Sequence, residues 1–209
     1  MSTILVTGPS RSGKSEWAEQ LTEQLAQRKQ QQVVYVATAQ RNPQDAEWQA
    51  RIETHVARRP AHWHAEEVPI MLTEAIAAHN QHHCLLIDSL GTWLANLIEQ
   101  SDEAWTQHES KLIETIRQTE ATVILVAEET GWGVVPAYKM GRTFRDRLGS
   151  LSRKVGAIAS ETYLVTCGYA LPLSKLAEPV RGLSTGLSVA NPQHLSERMT
   201  ARDQHEQHP

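Results

Sequence analysis

The chain has 209 residues, 40% of them hydrophobic and 21% charged, with a formal net charge of -4 at pH 7. That length can bury the core of one α/β domain, and the composition excludes disordered and collagen-like classes. Twenty Lys and Arg against 24 Asp and Glu leave no basic excess for tracking a phosphate backbone, so no nucleic-acid partner is expected.

Ile4-Leu5-Val6 is short, apolar and β-rich, which predicts a first strand running into a glycine-bounded loop. From Lys14 to about Lys29, Trp17, Ala18, Leu21, Leu25 and Ala26 recur at helical spacing and predict a helix. The runs Val33 to Ala37, Leu85 to Ile87, Val123 to Ala127 and Tyr163 to Thr166 are continuous rather than alternating, as strands buried on both faces are. With helical stretches between them, they predict an α/β fold: a mostly parallel sheet with helices on both faces. Cys84 and Cys167 lie at the edges of apolar runs and read as reduced core thiols. From about Glu178 large apolar residues become scarce, so residues 1–177 are expected to form the domain and residues 178–209 a flexible extension. No apolar run approaches the roughly 18 residues a membrane span needs. Met1-Ser2-Thr3 lacks the charged start of a secretory signal, so a cytoplasmic location is expected.

Gly8-Pro9-Ser10-Arg11-Ser12-Gly13-Lys14-Ser15 matches G-x-x-x-x-G-K-[ST] in the strand-to-helix context that a phosphate-binding loop needs. Glycines let successive backbone N–H groups converge on a phosphate, and the helix N-terminus adds its positive end. Lys14 would bridge β- and γ-phosphates, and Ser15 would place its hydroxyl on Mg2+. Pro9 removes one N–H at a position where the loss should matter little. Asp88, ending the buried run after Ile87, is the candidate carboxylate for Mg2+. The alternative for Asp88 is a cap on a helix starting near Thr92. Asp88-Ser89-Leu90-Gly91 also fits the D-x-x-G of switch GTPases, but no asparagine is followed by lysine, so the guanine-reading N-K-x-D is missing.

Between the Val33 to Ala37 and Leu85 to Ile87 runs, Trp48, Ile52 and Val56 make an i, i+4, i+8 stripe on a helix predicted from Ala46 to Val56. His55 flanks the stripe, with Arg51, Arg58 and Arg59 nearby. Neighbouring cations favour a neutral imidazole, the form able to attack phosphorus. Spacing alone equally fits a half-buried structural histidine. No clustered zinc ligands are evident among the other histidines.

These segments together resemble the bifunctional adenosylcobinamide kinase and adenosylcobinamide-phosphate guanylyltransferase family of cobalamin biosynthesis. The resemblance runs in order through Ile4 to Ser15, Tyr35 to Ala39, Arg51 to His55, Arg59 to Trp63, Glu129 to Pro136, and Phe144 to Asp146 with Gly149. It implies a P-loop NTPase-like fold, frequently trimeric, with ATP or GTP, Mg2+ and a corrinoid, adenosylcobinamide or its phosphate, as ligands. By the same resemblance His55 carries GMP covalently. GTP contacts are implied from Gly8, Pro9, Ser10, Arg11, Ser12, Gly13, Lys14 and Ser15. Further contacts are implied from Ala37, Thr38 and Ala39, from Val56, Ala57, Arg58 and Arg59, and from Glu67 and Asp88. Thr54-His55 stands where relatives can have two histidines, and Asp88 where glutamate is familiar. A kinase for another small metabolite, with His55 structural, is the alternative enzyme reading. An ATP-dependent regulatory binding protein is the non-enzymatic one.

Overall fold

The computed structural model describes residues 2–133 and 135–180. Strands β1 (Ser2–Gly8), β2 (Gln32–Ala37), β3 (His64–Glu67), β4 (His83–Asp88), β5 (Thr122–Glu128), β6 (Glu161–Thr166) and β7 (Tyr169–Pro172) form one sheet. Their spatial order is β3-β2-β4-β5-β1-β6-β7. Every neighbouring pair is parallel except β6 with β7, which is antiparallel. The helices are α1 (Lys14–Lys29), α2 (Ala46–Arg58), α3 (Leu72–Ala77), α4 (Leu90–Asn96), α5 (Asp102–Gln118), α6 (Lys139–Ile158) and α7 (Leu173–Leu176).

Alternate residues of the apolar runs feed two cores, one on each face of the sheet, because successive strand side chains point to opposite sides. Leu5, Val36, Leu85, Ile87, Val123 and Leu125 join Trp93, Leu112, Leu148 and Leu151 from the helices on one face. On the other, Ile4, Val6, Tyr35, Leu86, Ile124 and Val126 pack with Ala18 and Ala26 of α1. Continuous hydrophobicity in the central strands is thus a consequence of two-sided burial. The expected α/β architecture is the observed one.

Two edge strands escape that signal. β3 reads His-Ala-Glu-Glu and is mostly exposed, while β7 is alternately exposed and half-buried. Neither has the apolar run of a central strand. Cys84 is buried as expected, but Cys167 is exposed. It turns the chain from β6 to β7 with a φ of 51°, followed by Gly168 at 77°, so a tight hairpin and not the core accounts for its position. Helix α4 begins at Leu90 and is capped by Ser89, whose hydroxyl accepts from the Thr92 amide. The alternative reading of Asp88 as the cap is therefore not the one observed, and its carboxylate is left to other partners. Residues 178–180 are exposed, and the rest of the expected extension, residues 181–209, lies outside the described residues. Among the described residues no helix is long and apolar enough to cross a membrane.

Candidate active site

Strand β1 delivers the glycine loop to the carboxyl edge of the sheet. A side chain at Gly8 would place its Cβ 2.2 Å from the Val165 carbonyl oxygen on β6, so only glycine fits where the loop begins. Gly13 ends the loop at φ 91°, in the left-handed region that glycine enters at little cost, and is the N-cap of α1. Lys14 is buried, and its Nζ donates to the Pro9 carbonyl at 3.4 Å. The Ser12 hydroxyl is buried without a hydrogen-bond partner among the described residues. A cradle of this kind, with an unpartnered hydroxyl and a lysine held by one long hydrogen bond, suits an anion.

The loop forms one wall of a cleft of about 410 Å3. Ser10 to Ser15 lie on one side and Arg51, His55 and Arg58 of α2, with Arg59, on another; Ala37, Ala39, Asp88 and Glu128 complete it. Helix α2 is started by Asp45, whose carboxylate accepts from the Trp48 amide at 2.9 Å. None of its residues is buried. Instead of covering a core, the Trp48 and Ile52 stripe faces the cleft, whereas Val56, the third member, is 44% exposed.

His55 meets more than the expected guanidinium groups. Its Nδ1 lies 3.2 Å from Nη2 of Arg58 and 3.4 Å from Oδ2 of Asp88. Arg58 also reaches Glu16 at 2.6 Å and Glu19 at 2.9 Å, which ties α2 to α1. The Tyr35 hydroxyl donates to Asp88 Oδ2 at 2.7 Å, and Arg59 lies over the Tyr35 ring, 4.0 Å from its centroid. Burial pushes the Asp88 carboxyl upward, but the hydrogen bonds and charge of His55, the Tyr35 hydroxyl and the Lys14 charge outweigh it and hold its pKa below the ordinary value. Tyr35 is displaced the other way, its phenol pushed up by burial and by the Asp88 charge.

Asp88 shares the cleft with the phosphate loop even though β5 lies between β1 and β4. The residue level with Gly8 on the adjoining strand is Glu128. Its carboxylate accepts from the Ser89 hydroxyl at 2.6 Å and from the Gly91 amide at 3.1 Å. Sequence reading passed over Glu128, although it ends a buried strand just as Asp88 does. Tyr35, Ser89 and Thr92 also line the cleft without having been singled out.

Several expected nucleotide contacts do not line the cleft. Thr38 is buried beneath it, with its hydroxyl donating to the Ser89 carbonyl at 2.7 Å. Val56 and Ala57 are exposed, and Glu67 pairs with Arg41 at 2.7 Å on the surface. Gly8 and Pro9 are also absent from the lining.

A phosphate cradle of this form, at the carboxyl edge of a parallel sheet and faced by carboxylates, defines a P-loop nucleotide-binding protein. Comparison narrows the class. Residues 4–173 match the cobinamide kinase / cobinamide phosphate guanyltransferase family, and the chain belongs to it. It is 36% identical over 171 residues to the bifunctional adenosylcobalamin biosynthesis protein CobP of Pseudomonas aeruginosa, covering 81% of this chain and 95% of that one. Similar proteins named CobU occur in Escherichia coli, 35% identical over 180 residues, and in Salmonella typhimurium, 34% over 183. Each of those two matches covers 79% of this chain and 96% of the relative.

Proposed function

We propose that residues 1–177 carry out two successive reactions in the cytoplasm, as a homotrimer. In the first, the γ-phosphoryl group of ATP or GTP passes to the hydroxyl of adenosylcobinamide. In the second, GMP passes from GTP to His55 and then to adenosylcobinamide phosphate, giving adenosylcobinamide-GDP and pyrophosphate. The carrying observation is that His55 faces the phosphate cradle across one cleft, backed by Asp88.

The loop from Gly8 to Ser15, with Lys14 at its end, binds the polyphosphate. Positioning and electrostatic stabilisation supply most of the catalysis in phosphoryl transfer, and a buried lysine at the cradle provides both. Arg51, Arg58 and Arg59 are placed to meet further phosphate charge. Ala37, Thr38, Ala39, Val56, Ala57 and Glu67 complete the nucleotide site if α2 and its flanks adjust on binding.

At His55, Arg58 can only donate and the Asp88 carboxylate can only accept, so the shared Nδ1 cannot satisfy both at once. When Nδ1–H is given to Asp88, Nε2 keeps the lone pair that attacks the α-phosphorus of GTP. A bond forms from Nε2 to phosphorus as the bond to pyrophosphate breaks. The phosphate of the corrinoid then displaces GMP from the nitrogen. Splitting transfer between two anions into two steps gives each a better-placed nucleophile. Lys14 acts in both halves, holding the leaving pyrophosphate in the second.

The Ser15 hydroxyl and the Asp88 carboxylate would hold Mg2+. Both are hard oxygen donors, and magnesium commonly takes only one or two protein ligands beside phosphates and water. Among the described residues no group of three or more His, Cys, Asp or Glu could hold a metal. When bound, the ion neutralises phosphate charge.

The test uses GTP labelled at the α- or the γ-position, with wild type and His55→Ala. Label retained on the protein from the α-position alone, and lost in the variant, supports the reading. Corrinoid phosphorylation without any protein-bound label would leave a kinase in which His55 is structural.

A further inference from the structure

We infer that Glu128 is the catalytic base of the phosphorylation step, accepting the proton of the corrinoid hydroxyl; this rests on the proposed function and adds a residue to it.

Three carboxylates line the cleft, those of Glu16, Asp88 and Glu128. Glu16 is 51% exposed and paired with Arg58. Asp88 is turned to Tyr35 and His55 and is assigned to Mg2+ in the proposed function. Glu128 stands at the end of the strand next to β1, level with Gly8 where the phosphate loop starts, and lines the same cleft as the loop. Its hydrogen-bond partners, the Ser89 hydroxyl and the Gly91 amide, are neutral. A carboxylate has about four acceptor positions, so these two bonds aim the group and leave room for a hydroxyl.

Gly91 gives this placement a steric reason. A Cβ there would lie 2.0 Å from Oε2 of Glu128. The glycine of the D-x-x-G segment, which lacks a GTPase partner motif, is therefore needed for the carboxylate to rest against the backbone of α4. Burial raises the Glu128 carboxyl above its usual range, against the pull of the Ser89 hydrogen bond and the Lys14 charge.

In the step itself, the hydroxyl oxygen bonds to the γ-phosphorus while the bond from that phosphorus to the bridging oxygen breaks. The hydroxyl proton passes to Glu128, ADP or GDP leaves, and Glu128 returns the proton to water. Guanylylation of His55 deprotonates no hydroxyl. Glu128 is accordingly needed by one half of the enzyme and dispensable for the formation of the GMP adduct.

Glu128→Gln separates this role from simple support. Its amide can accept from Gly91 through oxygen and donate to Ser89 through nitrogen, which preserves the clamp but not the base. Phosphorylation kcat is expected to fall about 10²- to 10⁴-fold, with the corrinoid KM and the rate of His55 guanylylation each changed by less than about threefold. Unchanged phosphorylation kcat overturns the assignment. If both activities disappear, Glu128→Asp decides: loss confined to phosphorylation supports a base, and parallel loss of both overturns it in favour of a supporting role. A wild type that guanylylates His55 yet never phosphorylates the corrinoid contradicts the kinase half of the proposed function, and the base with it.

Discussion

Replacing Asp88 by asparagine probes the contact that holds His55 in the cleft. Asparagine keeps the shape and an acceptor for the Tyr35 hydroxyl, and removes the charge opposite the imidazole. The Asp88 side chain is 11% exposed and that of His55 34%, so the pair is neither a surface pair nor fully enclosed. Its loss should fall between the 0–1 kcal/mol or so of an exposed pair and the roughly 3–5 kcal/mol of breaking a buried one, at about 1–3 kcal/mol. The sign with pH follows from the lowered Asp88 pKa, below the ordinary 3.8. A depressed carboxylate contributes its stability fully above the unfolded pKa and loses it as pH falls through the folded value. Urea unfolding of wild type and Asp88→Asn between neutral pH and about pH 2.5 measures this directly. The difference between them should be largest near neutrality and shrink as acidification passes below about pH 4. A difference that stayed constant down to the lowest pH, or none at neutrality, would refute the electrostatic reasoning.

Lys14→Ala should abolish corrinoid phosphorylation and slow His55 guanylylation by at least about tenfold, measured with labelled GTP; guanylylation at the full rate would show that Lys14 serves one half only. Gly91→Ala should displace the Glu128 carboxylate at a net cost of no more than about 1 kcal/mol, because its Cβ meets the far end of a flexible side chain and alanine is the better helix former. A thermal melt of the double variant Gly91→Ala with Glu128→Ala should show much less than additive loss, and simple additivity would contradict the contact. Trp93, 0% exposed and donating through Nε1 to the Ile70 carbonyl at 2.9 Å, should cost about 3–5 kcal/mol when changed to alanine. Denaturant unfolding checks that value, and a loss under about 1 kcal/mol would exclude Trp93 from the supporting core.

What the sequence disclosed depended on how local each signal was. The runs around Leu5, Val36, Leu86 and Leu125 are apolar because both faces of the sheet are covered, and that pattern is readable without coordinates, whereas the Tyr163 to Thr166 run, expected to be buried on both faces, is half-buried except at Val165. The phosphate loop is equally local, since its glycines and Lys14 act within a single turn. Strand order is not local. Nothing near Asp88 indicates that β5 separates it from β1, so nothing local marks Glu128 as the carboxylate level with Gly8. A usable signal existed: Glu128 closes the Val123 to Ala127 run in the same manner that Asp88 closes Leu85 to Ile87. Polar edge strands such as β3 carry no burial pattern to detect, and Cys167 resembles a core residue until the β6–β7 turn is seen. For His55, helical spacing placed the ring beside three arginines but could not reveal the Asp88 contact, which joins α2 to a separate strand.

The proposed guanylyl transfer requires a covalent bond between GMP and the imidazole of His55. Peptide-level mass spectrometry after incubation with GTP and magnesium, with neutral to alkaline handling to preserve a phosphorus–nitrogen bond, tests it most directly. The account predicts a GMP adduct on the peptide containing His55, removed on adding corrinoid phosphate and absent in His55→Ala. Unmodified His55 throughout, in a preparation that nevertheless converts the corrinoid phosphate to its GDP form, would contradict it.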